Sequence, residues 1–136
     1  MLDYFGNQID PSQYVWKPGK YFSDFTLTSL QLLTNQAIQL RGQEQYFAIF
    51  KLMSVQTNPF RVKLYTTGGD TIPANSAGTT DRIRSECLYG TASLPAVLPG
   101  VLLIPGSGSI LHDLEEILTA GNSLHLVYEG WRLFPR

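Results

Sequence analysis

The sequence predicts an all-β fold: an antiparallel β-sandwich, best matched by a jelly roll, with an extended N-terminal arm. Three observations carry this expectation. From residue 23 onward the apolar residues recur mainly with a period of two, the period of a strand with one buried face. Turn residues separate roughly eight such runs, at the spacing of a sandwich or barrel. One long polar loop interrupts the hairpins, so a simple meander does not fit. The expected division is an arm over 1–22 and a sandwich over 23–136.

The arm, MLDYFGNQIDPSQYVWKPGKYF, mixes Pro11, Pro18, Gly6 and Gly19 with six aromatic residues and shows no regular period. So many aromatics imply burial, against the chain's own sandwich or against a neighbour. In FTLTSLQLL the apolar residues change face near Ser29, which suggests a bulge. AIQLRG follows a turn-like Thr34-Asn35-Gln36. QYFAIFKLMSV is apolar on both faces, as in a central strand. PFRVKLYT alternates, with Phe60, Val62 and Leu64 inward and Arg61, Lys63 and Tyr65 outward.

Thr66 to Ser85 reads as a long loop of Gly, Thr, Ser and Asn, leading into a short strand in RIRSECLYG. Pro95 and Pro99 restrict SLPAVLPG to an edge or a connection. VLLIPGSGSILHDLEEIL reads as two strands joined at Pro105-Gly106-Ser107-Gly108. Leu111, Leu114 and Leu118 also fit helical spacing, but a bulged strand is the better match. After TAGN, the final strand places Leu124, Leu126 and Tyr128 on one face. Gly130 permits a bulge that would turn Trp131 and Leu133 inward. That strand is expected in the middle of a sheet.

At 136 residues the chain suffices for one domain with a substantial core. Apolar residues make up 43% and charged residues 15%, below the usual quarter, which hints at extensive contacts. A net charge of −1 gives no electrostatic case for nucleic acid. Cys87 is the single cysteine, which excludes an intrachain disulfide and a cysteine-based zinc site. No basic segment followed by an apolar run opens the chain, and no apolar run reaches the ~20 residues of a membrane span. A soluble protein made in the cytoplasm is expected, with no membrane partner.

Motifs for chemistry are lacking. His112 and His125 could lie on neighbouring strands with Asp113 or Glu129 as further ligands, the cluster a cupin-like metalloenzyme would need. The close run of ligands on one strand is missing, and strand-face histidines are the better reading. Glu115 and Glu116 point in opposite directions on a strand and cannot act as a carboxylate pair. Asp81, Arg82, Arg84 and Glu86 read as a salt-linked surface ribbon. Gly106-Ser107-Gly108-Ser109 is neither a nucleophile elbow nor a phosphate loop. The expectation is a non-enzymatic protein without a cofactor. Asp70 and Asn75 leave carbohydrate binding open, although the loop carries only Tyr65 as an aromatic, at its base.

The stretch IPGSGSILHDLEEILTAGNSLHLVYEGWRLFPR, ending in apolar-Glu-Gly-aromatic-Arg-apolar-aromatic-Pro, resembles small virion proteins of tailed bacteriophages. It is most similar to their jelly-roll capsid cement (decoration) proteins. The resemblance covers about the last quarter of the chain. It implies a mechanical role on the capsid surface of the virion, binding the outside and bridging neighbouring major capsid subunits, and a homo-oligomer such as a dimer or trimer. A tail, neck or baseplate protein with receptor or carbohydrate binding is the alternative. On the capsid reading, Tyr4, Phe5, Tyr14 and Trp16 anchor the arm on a partner, and Gly68, Gly69, Asp70 and Asn75 belong to a second contact loop.

Overall fold

The computed structural model describes residues 8, 10–67, 71–72 and 82–136, and these form a two-layer antiparallel β-sandwich. The strands are β1 (Tyr14–Leu27), β2 (Leu32–Gln39), β3 (Tyr46–Gln56), β4 (Phe60–Thr66), β5 (Thr71–Ile72), β6 (Ile83–Arg84), β7 (Ala96–Pro105), β8 (Ser109–Glu116) and β9 (Asn122–Pro135). One sheet runs β1-β9-β3-β7 and the other β2-β8-β4-β5, with β6 also on β4. Four of the pairings are nested: β1 with β9, β2 with β8, β3 with β7, and β4 with β5. The chain is therefore one long antiparallel ribbon wound up until β9 meets β3 and β8 meets β4.

Alternation writes the core. Leu124, Leu126 and Tyr128 of β9 face Phe60, Val62 and Leu64 of β4 and Ile110 and Leu114 of β8 in one cluster, and all eight are buried. Phe47, Ile49 and Leu52 of β3 and Leu102 and Ile104 of β7 complete it. β3 is buried along most of its length because it lies between β9 and β7. β7 carries Pro99 and Pro105 and takes an edge, where a missing N–H disrupts least. Residues 109–116 form a strand and not a helical turn, with Ile110, His112 and Leu114 pointing into the core. The bulge expected there is corrected: β8 runs unshifted against β4, and the irregularity lies in β2.

Several local expectations are corrected. The boundary at residue 22 falls inside β1, which starts at Tyr14 and pairs with β9 without a shift from Tyr14↔Pro135 to Leu27↔Asn122. Pro18 and Gly19 mask the period there, but they pair opposite Trp131 and Gly130 and do not end the strand. The change of face near Ser29 is a turn carrying the chain between sheets, with Leu30 at φ 52°. Thr34-Asn35-Gln36 is not a turn between strands: the register of β2 shifts between Leu33 and Gln36, with Asn35 at φ 56°. The bulge assigned to Gly130 lies on its neighbour, where β3 shifts between Ile49 and Lys51 and leaves Phe50 extra.

Gly130 is needed for a different reason. A Cβ on it would stand 2.0 Å from the Ala48 carbonyl oxygen, because the β3 bulge draws that backbone close.

A polar chain crosses the core between the sheets. The Nδ1–H of His112 on β8 donates to the Gln36 carbonyl of β2 at 2.7 Å, leaving Nε2 as an acceptor. The Tyr128 hydroxyl of β9 donates to Nε2 at 2.5 Å and accepts from the Tyr89 hydroxyl at 2.5 Å. His112 and Tyr128 are fully buried and Tyr89 nearly so, and burial raises both tyrosines above their ordinary range. Burial pushes His112 down to about 4, against a small opposing effect of its bond to Gln36.

Two predictions follow from the packing. Gly130→Ala should cost about 1–3 kcal/mol in urea unfolding, since the displaced group is backbone and cannot swing aside. Neutral His112 favours the folded state, so its contribution is complete above the unfolded value of 6.5 and is lost as pH falls towards about 4. That gap corresponds to about 3 kcal/mol at most, and unfolding free energies measured across this window should decline accordingly.

Candidate interaction surface

The two sheets present unlike faces to solvent. Outward from β4 and β8 come Arg61, Lys63, Tyr65, Asp113 and Glu115. Glu115 is within 3.6 Å of Arg61 and 3.2 Å of Arg82, and the Tyr65 hydroxyl donates to Asp113 at 2.8 Å. This is an ordinary solvated face with partly screened ion pairs.

The outer face of β1-β9-β3-β7 is apolar and aromatic. Because Tyr128 faces the core and pairs with Tyr21, the even residues of β1 and the odd residues of β9 point outward. That places Tyr14, Trp16 and Phe22 beside Val127, Trp131 and Leu133. From β3 come Tyr46, Ala48, Met53 and Val55, and from β7 Leu103 and Val97. Phe22 is 62% exposed, Val55 66% and Val97 65%. Trp131 stacks on the bulged Phe50 with ring centroids 6.4 Å apart and takes Trp16 edge-on at 6.4 Å. Leu133 lies between Trp16 and Tyr46 in the register and is fully buried on this face, outside the main core. The inward turn expected of Trp131 and Leu133 is thus corrected: with no bulge in β9, alternation sends both out.

The face has a covered end and an open end. Asp10 caps the short 3-10 turn Pro11–Gln13 by accepting from the Ser12 amide at 3.0 Å, and the Trp16 indole N–H donates to the Pro11 carbonyl at 3.0 Å. Gln8, Asp10 and Gln13 therefore lie against Tyr14, Tyr46 and Leu103. Further along the strands the open part carries one polar row, Lys20 and Lys51 flanking Glu129, and then the pair Asp24–His125, bonded at 2.6 Å. Beside that pair, Asp24, Thr26, Val55, Ser123 and His125 line a shallow groove.

At the sandwich end near Gly19 a buried carboxylate is held by charge. Glu44 accepts from the Tyr21 hydroxyl at 2.5 Å and from Arg132 at 3.2 Å. Its burial alone would raise it, but those bonds win and hold it below the usual carboxylate range. Gly19 leaves room for the Arg132 stem, which passes 2.8 Å from where a Cβ would stand. The cluster is satisfied and closes the core.

Of the residues singled out from sequence, Tyr14 and Trp16 sit on the outer face as strand residues of β1. Tyr4, Phe5, Gly68, Gly69, Asp70 and Asn75 lie outside the described residues. His112 and His125 are on opposite sheets, one inside and one outside, and not on neighbouring strands. Among the described residues no group of three or more His, Cys, Asp or Glu side chains comes together. Sequence reasoning missed Phe22, Phe50, Val55, Val97 and Trp131. For Phe50, Val55 and Trp131 the signal was present as a second apolar face in β3 and β9 but read as burial inside the sheet. Phe22 stood only among the arm's aromatics and Val97 in a proline-interrupted stretch. No known protein family, curated protein or solved structure matches the chain.

Val97→Ser and Val55→Ser should each change the unfolding free energy by no more than about 0.5 kcal/mol, as exposed positions do. Both should shorten retention on a phenyl-substituted column at high salt, which reads the exposed apolar face directly.

Proposed function

We propose that this chain is a non-enzymatic structural protein of a tailed-phage particle, a capsid cement protein that binds the outside of the shell and bridges neighbouring major capsid subunits. The observation that carries the reading is the outward apolar face of β1-β9-β3-β7, opposed to a charged face on the other sheet. An apolar, aromatic face crossed by a polar row suits a protein partner. The nested strand pairing supports the jelly-roll part of the reading, since a rolled antiparallel ribbon gives two interleaved sheets of this order. The phage particle enters through the resemblance of residues 104–136.

Mechanically, the arrangement suits a lattice. A face of this size gives modest affinity for one capsid subunit, and many copies engaged together make the coat tight. Aromatic anchors such as Trp16 and Trp131 already hold one another in place, so little side-chain entropy is lost when a partner covers them.

Quantitative mass spectrometry of purified particles from the phage that encodes the chain tests the proposal. Copies near the number of major capsid subunits, or a simple lattice fraction of it, are expected. A few copies matching tail symmetry would favour the neck, tail or baseplate, with sugar binding at the Asp24–His125 groove the next assay. Absence from particles would overturn the reading.

A further inference from the structure

We propose that two copies of this chain join edge to edge through β1, in antiparallel register centred on Phe22, so that two four-stranded sheets become one continuous sheet. Among the described residues β1 has a single strand partner, β9, and its other edge is free. The other edges are poor templates: β7 is broken by Pro99 and a register shift, β5 and β6 are two residues each, and β2 is bulged. β1 is 14 residues long and runs unshifted. An edge of that kind presents backbone N–H and C=O groups to a further strand.

The side chains on that edge select the register. A two-fold axis normal to the sheet sets outward residues opposite outward residues. Centred on Phe22, it places Phe22 against Phe22 of the second copy and Lys20 against Asp24 of the second copy, twice by symmetry. Centring on Lys20 or on Asp24 instead sets like charges opposite each other. Centring on Tyr21 or Ser23 leaves each charge opposite an uncharged side chain. Only the Phe22 register matches both charges and stacks the two aromatic rings, the combination that stabilises cross-strand pairs.

Exposure agrees with this assignment. Phe22 is 62% exposed, and the side chains of Lys20 and Asp24 are 59% and 81% exposed. His125 holds Oδ1 of Asp24. Pro18 falls opposite Thr26 of the second copy, near the end of the paired stretch from 17 to 27, where its missing N–H removes at most one ladder bond. The joined sheets set the outward faces of both copies side by side. The inference goes beyond the virion reading and does not rest on it: absence from particles would leave the dimer untouched, and a monomer would leave the virion reading standing.

Sedimentation of the purified full chain should show a dimer. Asp24→Lys should weaken it about tenfold or more, since lysines then meet twice. The exchange Lys20→Asp with Asp24→Lys should restore it, which a general loss of stability would not do. In a Cys87→Ser background, Phe22→Cys should form an intermolecular disulfide on mild oxidation, because directly opposed strand residues lie within disulfide reach. A monomer at every concentration, or a dimer that neither responds to the charge exchange nor cross-links through position 22, would overturn the proposal. If Asp24→Lys does not fold, the cross-link alone decides.

Discussion

The unshifted pairing of β9 with β1 decides which side chains are core and which are surface in this protein. Strand side chains alternate, so a slip of one residue would exchange the two sets completely. Pairing Tyr128 with Tyr21 sends Leu124 and Leu126 into the sandwich and Val127, Trp131 and Leu133 out of it. The cross-sheet bonds of Tyr128 to His112 and Tyr89 fix that choice, because a slipped β9 would strand a buried imidazole without its donor. The outward aromatic face is a consequence of that one register.

The pairing of β3 with β9 is adjusted by one extra residue in β3. That residue, Phe50, adjusts the pairing where Ala48 passes over Gly130, and the bulge aims an aromatic ring outward onto Trp131. Packing and surface design are therefore coupled at one place. The glycine that allows β3 to approach also sits beside the residue that most enlarges the aromatic patch. The nested pairing has a kinetic side as well, since joining β1 to β9 brings the two ends of the sandwich together. Contacts so distant in sequence form late and slowly.

On the proposed reading, function lies in faces and edges. Two inward polar groups are held within the core: His112 by Gln36 and Tyr128, and Glu44 by Tyr21 and Arg132. The outward polar groups on β4 and β8 are paired in ordinary ways. Among the described residues, apolar area on one sheet and backbone along the β1 edge are what the proposed partners would cover.

Much of this was legible in the sequence. Period-two alternation gave the sandwich, the inward set of β4 and the central place of β9, the two-sided apolar run gave that of β3, and Pro95 and Pro99 limited their stretch to an edge or a connection. Local signals could not locate the bulge, because Gly130 permits one and the register of β3 against β9 decides which strand takes it. They could not show that residues 14–22 are strand, because Pro18 and Gly19 disturb the pattern and only the partner strand restores it. Nor could they separate His112 from His125, whose surroundings are set by which sheet each strand joins. Alternation is a property of one strand and is written in its residues. Face, register and edge are properties of pairs of strands, and only the tertiary structure assigns them.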